Sequence, residues 1–457
     1  MRIEARWLVL LGVAAFVLIA VSYALGVKRG EDRLSLPVAT APSATAPARD
    51  AGTAAATSAV AASSAGRATL AQDLPPSHPP VASNATAAGR LPADSTLPAA
   101  DAPVPSAGAT GTARTNISFT HFRVGNRNIK TMLAEEGVMW VGTSGGVIRY
   151  DTNSDDYRVF DVRSGLLSNG VFHLSRLGEQ LAVGTYGGGL SLFDERTERW
   201  KHYNIQHGLG DAFVYDVLEL SNGDIWIATW SGANRVRGGA LDQRDKWDLF
   251  TVENTSGGLP NDWVYGLAEG KNGEVWLATE GGLSRFAEGK WRSWGHAEGL
   301  GAPYESVRDQ IEFTYDPAKM SSHHARQKVE QGLGKVDVAY NPNYIVSLLV
   351  NDDGSVWAGT WGGGLAHFDG ERWSNLTMAD GLPANHVFML EHAIGGAIWV
   401  GTSKGLARYD GKVFEVFTTR DGLFADNVFS LASDQKGSLW VGSYGGVARI
   451  KGLAASM

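Results

Sequence analysis

Residues 356–369 read VWAGTWGGGLAHFD, and this stretch decides the fold of the chain. A hydrophobic strand followed by three consecutive glycines, 362–364, has the outline of a phosphate-binding loop. Such a loop needs a Lys-Ser/Thr pair after its glycines and a helix N-terminus behind them. Leu365, Ala366 and His367 follow instead, so no nucleotide site is predicted. We expect the glycines to allow positive φ angles in a tight turn.

The stretch is one of seven copies of a single pattern. Self-similarity at a fixed period is the mark of a repeat architecture. The equivalents of Trp140 lie at 182, 226, 276, 357, 399 and 440, separated by 42, 44, 50, 81, 42 and 41 residues, and the long interval predicts an insertion at about 301–341. The copies are MWVGTSGGVIRYD (139–151), LAVGTYGGGLSLFD (181–194), IWIATWSGANRVR (225–237), VWLATEGGLSRFA (275–287), VWAGTWGGGLAHFD (356–369), IWVGTSKGLARYD (398–410) and LWVGSYGGVARIK (439–451).

Each unit has the pattern of four short antiparallel strands. In the fifth unit, YIVSLLV (344–350), VWAGT, GLAHFD and RWSNLT (372–377) are separated by turns such as NDDGS (351–355). Asp-Gly turns between short runs of β-branched and aromatic residues are typical of hairpins. Seven four-stranded units of about 42 residues predict an all-β fold, a seven-bladed β-propeller spanning residues 115–457.

The two ends of the repeat region are complementary. The seventh unit supplies three strands, while an extra strand with the spacing of a fourth strand, Phe119 and Phe122 in ISFTHF, precedes the first unit. We therefore expect the N-terminal strand to complete the last blade, which would leave no open sheet edge in the ring.

The N-terminal region predicts a membrane anchor. Residues 7–27 contain no charge, and about 20 apolar residues are enough to cross the hydrocarbon core of a bilayer. Basic residues flank the run on both sides, so its orientation is weakly specified. Residues 1–33 are therefore predicted to be a membrane anchor with a single transmembrane helix at 7–27. A cleaved signal peptide, with Ser22-Tyr23-Ala24 as its cleavage site, is the alternative.

Residues 34–114 form a predicted linker between the anchor and the propeller. Residues 34–113 hold no aromatic residue but contain 11 of the 16 prolines. Such a composition cannot bury enough apolar surface to fold, so we expect a disordered tether. The chain has no cysteine, which excludes disulfides, and its formal charge of −8 argues against a nucleic-acid partner.

The repeat resembles that of the two-component regulator propeller family. The resemblance is carried by Trp357, Gly359 and Thr360 and by the Gly-Leu-x-x-Asn loop at 381–385. Ala182 departs from it by replacing the tryptophan, and Ala228 and Ala278 by replacing the glycine. The resemblance implies an extracytoplasmic sensor, often for polysaccharides. The repeat is also similar to that of streptogramin lyase, a seven-bladed enzyme.

Aromatic residues at the predicted turns suggest a binding surface around one mouth of the channel. Aromatic platforms with a few polar groups suit sugars, aromatic ligands or peptides. The alternative is that they pack between blades or against the insertion. The predicted rim residues are Tyr186, Trp230, Glu280, Trp361 and Tyr444 from the turns, and Phe213, Trp263, Tyr344 and His386 from the position before a first-strand Val or Ile.

The insertion is predicted to cover this mouth as a lid. Residues 321–333, SSHHARQKVEQGL, have a serine cap before a helical run. His323 and His324 are adjacent, so they should point about 100° apart on a helix and form no shared site. A lyase-like pair of His386 and Glu280 across the mouth is the catalytic alternative. Otherwise no catalytic residue, metal or cofactor is predicted.

These features predict a propeller in the periplasm, tethered to the bacterial inner membrane by a single span. It would bind a carbohydrate, another small molecule or a protein, and act through a separate signalling partner. A structural subunit of an envelope complex is the first alternative, and a streptogramin-lyase-like enzyme is the second.

Overall fold

The computed structural model describes residues 117–453, with the side chains of Asn126 and Ile394 excepted. The predicted anchor (1–33) and linker (34–114) lie outside these residues. No helix within 117–453 is long and apolar enough to span a bilayer.

The described chain is an all-β, propeller-like array of antiparallel sheets. Five sheets have four strands each, and the sixth has seven. The four-stranded sheets are β5–β8 (Val171–Leu177, Gln180–Thr185, Leu190–Asp194, Arg199–Tyr203), β9–β12 (Val214–Glu219, Ile225–Thr229, Gly232–Val236, Trp247–Phe250), β13–β16 (Val264–Glu269, Val275–Thr279, Gly282–Ala287, Lys290–Trp294), β17–β20 (Asn341–Val350, Val356–Trp361, Leu365–Phe368, Trp373–Leu376) and β21–β24 (Val387–His392, Ile398–Thr402, Gly405–Tyr409, Phe414–Phe417).

The seven-stranded sheet joins the two ends of the described chain. Its order is β25-β26-β27-β1-β2-β3-β4, and the 18-residue β1 belongs to both halves. The first part of β1 pairs with β27, as Phe122 does with Val447, and its second part pairs with β2, as Leu133 does with Trp140. The predicted pairing of the N-terminal strand with the last repeat is therefore present. The strands are β1 (Ser118–Glu135), β2 (Val138–Thr143), β3 (Gly146–Asp151), β4 (Tyr157–Phe160), β25 (Ser430–Ser433), β26 (Leu439–Gly442) and β27 (Tyr444–Lys451).

The sheets follow one another around a closed ring. The inner strands β5, β9, β13, β17, β21 and β25 contact one another in this order, and the second part of β1 contacts both β5 and β25. Apolar clusters lie between neighbouring sheets, where, for example, Val214 and Ile227 pack against Leu190 and Leu192 of the preceding sheet. The core is thus a series of inter-sheet layers, as radial repetition requires.

The repeat motif has a structural explanation at each turn. The hydroxyl of Thr360 is fully buried and donates a hydrogen bond of 2.7 Å to the carbonyl oxygen of Gly364 across the turn. Gly364 has a φ of +80°, and a Cβ on it would lie 2.4 Å from the carbonyl oxygen of Leu376 on the fourth strand. Five other repeat threonines make the same bond: Thr143, Thr185, Thr229, Thr279 and Thr402. The glycines therefore serve a tight turn.

The segment between β16 and β17 carries the two α-helices of the described residues, α1 (Tyr304–Val307) and α2 (Ser322–Glu330). It has a small apolar cluster of its own around Val307 and Tyr340. It also holds a buried ion pair in which Lys328 Nζ lies 2.7 Å from Asp316. Within residues 117–453, nine 3-10 helices occupy loops: Val162–Ser164, Ile205–His207, Arg237–Gly239, Arg244–Lys246, His296–Glu298, Arg308–Gln310, Pro317–Lys319, Met378–Asp380 and Ile394–Gly396.

Candidate functional site

Three predicted rim residues form a continuous, partly accessible aromatic surface, which we call the open arc. It consists of Tyr186, Phe213 and Trp230, all half-buried. The Tyr186 and Phe213 ring centroids are 4.5 Å apart, and those of Phe213 and Trp230 are 4.7 Å apart, both in edge-to-face geometry. Each ring belongs to a different turn or loop, so the repeat brings together side chains far apart in sequence. Edge-to-face packing fixes the orientation of these rings relative to one another.

The next five predicted residues continue the rim but are buried, and we call them the covered arc. They are Trp263, Glu280, Tyr344, Trp361 and His386, none more than 5% exposed. Trp263 meets Trp230 edge-to-face at 4.5 Å, which joins the two arcs. Tyr344 stacks on Trp361 at 5.4 Å. The insertion accounts for the burial, since its side chains pack directly on these groups.

Glu280 is the polar centre of the covered arc. Its two carboxylate oxygens lie 3.0 Å from His323 Nε2 and 2.5 Å from His324 Nδ1, both on α2. Burial alone would raise the pKa of Glu280, but the hydrogen bonds from His323 and then His324 lower it below its ordinary value. Although adjacent on the helix, the two histidines share one partner, which the sequence analysis did not predict. Each ring reaches a different oxygen of one carboxylate, so their angular separation on the helix is accommodated.

Aromatic stacking reinforces this attachment of α2. His323 lies flat on Trp263, with ring centroids 3.5 Å apart and planes at 9°. His324 stacks on Tyr344 at 5.8 Å. Three of the predicted rim residues thus bind the insertion itself.

The other end of the covered arc is also held by the insertion. His386 Nε2 donates to the carbonyl oxygen of Ala339 at 2.7 Å, and burial lowers the pKa of His386 to about 4, so its ring is neutral. Phe313 packs against both His386 and Trp361. His386 and Glu280 therefore engage different parts of the insertion. Tyr444, the ninth predicted residue, is half-buried and packs against an apolar cluster that includes Tyr344 and Trp361.

Sequence reasoning missed a second circle of residues, which we call the inner ring. Six inner strands have a bulge residue that is left out of the pairing with the second strand of the same sheet. Phe172, between Val171 and His173, is an example, and the strands are β1, β5, β9, β13, β17 and β21. Such β-bulges re-aim a side chain. The inner ring comprises Lys130, Phe172, Tyr215, Tyr265, Val346 and Phe388, with Phe429 at the equivalent position of the last unit.

The inner ring is mostly aromatic, and several neighbouring members are in contact. Phe172 and Tyr215 have centroids 4.8 Å apart, and Tyr215 and Tyr265 are 5.1 Å apart. Phe172 also contacts Tyr186 of the open arc at 5.5 Å. The signal was present in the sequence, because each of these residues directly follows the first-strand Val or Ile.

The described residues offer no cluster of three or more His, Cys, Asp or Glu side chains suited to a metal ion. The predicted rim and the inner ring are instead mainly aromatic. The open arc is partly accessible, the covered arc is closed by the insertion, and the inner ring contacts the open arc through Phe172 and Tyr186.

Comparison with protein families agrees with the repeat. Three segments, residues 208–231, 258–281 and 422–445, match the family model described as "Two component regulator propeller". These three segments are therefore similar to the repeat of that family. No curated protein sequence matches the chain.

Solved structures of similar fold include two extracellular domains from B. thetaiotaomicron. One is described as the extracellular domain of a hybrid two-component system, with 16% identity, a TM-score of 0.53, and coverage of 72% of this chain and 40% of that one. The other, of a one-component system, has 19% identity, a TM-score of 0.51, and coverage of 72% and 39%. The present chain thus spans about two fifths of these extracellular domains. At these identities the likeness establishes the fold.

An enzyme shares the fold at a similar level. Virginiamycin B lyase from Staphylococcus aureus, solved with quinupristin, is 10% identical with a TM-score of 0.51, and the match covers 73% of this chain and 99% of the lyase. Fold likeness alone transfers no catalytic residue.

Proposed function

We propose that this chain is a sensing module whose propeller binds a ligand at the open arc and passes the signal to a separate protein. The observation that carries this proposal is the continuous aromatic surface of Tyr186, Phe213 and Trp230, which stays partly accessible while the insertion buries the covered arc. Rigid aromatic platforms beside a channel are typical of sites for sugars and other ring-shaped ligands.

The finer architecture belongs to the same proposal. A seven-bladed ring is supported by seven inner strands in cyclic contact and by a β1 that serves two blades. An extracytoplasmic location at the inner membrane is supported by the apolar run at 7–27, the proline-rich segment after it and the absence of cysteine from the chain. The fold shared with sensor ectodomains supports the same location.

A binding role rather than a catalytic one is supported by the covered arc. Glu280 and His386, the candidates for a lyase-like pair, are buried and bonded to different segments of the insertion. A general acid–base pair has to reach the substrate. The proposal would be revised if the full chain cleaved a streptogramin-type substrate and Glu280→Gln abolished the cleavage.

Ligand binding can be tested with the full chain in detergent micelles. A library of oligosaccharides and small aromatic compounds is screened by thermal shift, and hits are measured by calorimetry. Trp230→Ala should weaken binding about 10-fold or more, as expected for a central aromatic contact. Tyr157→Ala removes an exposed aromatic from β4, away from the arc, and serves as the matched control. Hits that bind both variants equally would contradict the proposal.

The partner can be identified by crosslinking the membrane-anchored protein in its native cells. Recovery of a kinase or another signalling protein supports the sensing role. Recovery of envelope-assembly proteins alone, with no ligand response in the thermal screen, would favour the structural alternative and overturn the sensing proposal.

A further inference from the structure

Lys130 is the one charged member of the inner ring. It occupies the bulge of β1, where pairing passes from Ile129 to Thr131 and leaves it out of the ladder. Its ammonium lies 5.7 Å from the centroid of Phe172, the neighbouring ring member. Phe172 in turn contacts Tyr186 of the open arc. A single amine therefore lies within the aromatic inner ring, one ring away from the open arc.

The amine is not neutralised by the protein around it. No hydrogen bond or ion pair among residues 117–453 includes Lys130 Nζ, whereas four other lysines each contact a carboxylate: Lys201, Lys319, Lys328 and Lys404. Burial lowers the pKa of Lys130 to about 7, and no neighbouring charge opposes this effect. A buried charge without a partner is costly, so an anion that reached it would relieve the cost.

Its neighbours specify what kind of anion fits. Lys130 offers one compact charge with three N–H donors but no planar fork. The adjacent rings of Phe172 and Tyr186 offer flat apolar faces. This combination suits one carboxylate on a ring-shaped body better than a phosphate, whose two charges call for several cations.

We propose that Lys130 binds the carboxylate of a small ring-shaped ligand that enters the channel beside the open arc, with Phe172 and Tyr186 packing against its body. The inference rests on the proposed ligand-binding function and adds the charge of the ligand.

The experiment compares benzoate with its neutral isostere benzamide on the full chain. Lysine amines are labelled by reductive methylation with ¹³C and followed by NMR, and Lys130→Met assigns the Lys130 signal. Benzoate should shift the Lys130 signal saturably, while benzamide should not. Lys130→Met should weaken benzoate binding roughly 10- to 100-fold, the scale of a charge-assisted bond. Lys130→Arg should retain most of it.

Lys412→Met, which removes an exposed lysine far along the chain, should leave benzoate binding unchanged. The proposal is overturned if benzoate leaves the Lys130 signal in place, or if Lys130→Met binds benzoate as tightly as the native chain. Neutral library hits that depend on Trp230 but not on Lys130 would remove this proposal and leave the sensing function standing. An absence of any Trp230-dependent hit would remove the sensing function itself.

Discussion

The tryptophan of the repeat is paired with a cation on the neighbouring strand. Trp276 lies opposite Arg285 in the pairing of β14 with β15, and the guanidinium lies 5.6 Å from the centroid of the Trp276 indole ring. The same register recurs at Trp140 and Arg149 and at Trp440 and Arg449. The second unit has Ala182 opposite Leu192 instead, so tryptophan and cation are lost together. In the fifth unit Trp357 is retained opposite His367, so the arginine can be replaced while the tryptophan stays.

This pairing predicts unequal costs for its two members. Trp276 is 2% exposed, so Trp276→Ala should destabilise the fold by about 3–5 kcal/mol through lost burial and a cavity. Arg285→Ala should cost about 1 kcal/mol, the scale of a partly exposed cation–π contact. Urea unfolding of both variants and the double variant measures the coupling. Equal losses of unfolding free energy in the two single variants would show that the cation–π contact, rather than burial of the indole, dominates the stability of this pair.

Glu280 predicts how attachment of the insertion depends on pH. Its pKa in the folded chain is lowered, so the contribution of its carboxylate to stability is present above the unfolded pKa of about 4.3. That contribution is lost as pH falls through the lower folded value. Proteolysis of residues 301–341 should therefore accelerate at acid pH. Glu280→Gln should make cleavage faster at neutral pH and flatten the acid dependence. An unchanged pH profile in Glu280→Gln would assign the effect to other groups.

The element that closes the ring is β1, and its first half has a specific task. Phe122 stacks on Trp440 of β26 at 5.3 Å and meets Tyr150 of β3 edge-to-face at 4.9 Å. It therefore packs between the two halves of the seven-stranded sheet, β25–β27 and β2–β4. Without this half-strand, β27 would present an unpaired edge to solvent, which is a template for association.

Deleting residues 118–123 from the full chain tests this closure. The thermal midpoint should fall by several degrees, and dimers or larger species should appear in light scattering, because the edge of β27 becomes available. Deleting 60–65 from the proline-rich segment removes the same number of residues and should change neither property. If the two deletions behaved alike, closure by β1 would contribute nothing measurable.

The strands could be predicted from the sequence because the same local signals, Asx-Gly turns and a Thr-x-x-Gly hairpin, recur in several repeats. The pairing of the N-terminal strand followed from the missing strand of the last unit. The state of the rim could not be predicted in the same way. Trp230 and Trp361 occupy equivalent turn positions, yet one is half-buried and the other is 1% exposed. The difference comes from the insertion, which has no counterpart in the other units.

Across the whole described domain, the insertion is a packed unit seated at one place on the ring. Both of its ends lie at the turn containing Trp361. The Ala302 amide donates to the carbonyl oxygen of Gly363 at 2.8 Å, and Asn341 pairs with Trp361. Its own buried Lys328–Asp316 pair and apolar cluster are self-contained. The ring can therefore be bridged across the insertion without stretching the chain.

Replacing residues 303–340 with two glycines should accordingly leave a folded ring. The strand signal in circular dichroism should persist, since the inter-sheet layers remain intact. Tryptophan emission should shift to longer wavelength, because Trp263 and Trp361 lose the cover that holds them at 5% and 1% exposure. A control variant with two glycines inserted after Gly332, at a turn within the insertion, should keep the native emission. If the shortened chain fails to fold, the insertion is part of the core. If it folds with unchanged emission and unchanged ligand and partner binding, the insertion is not a lid.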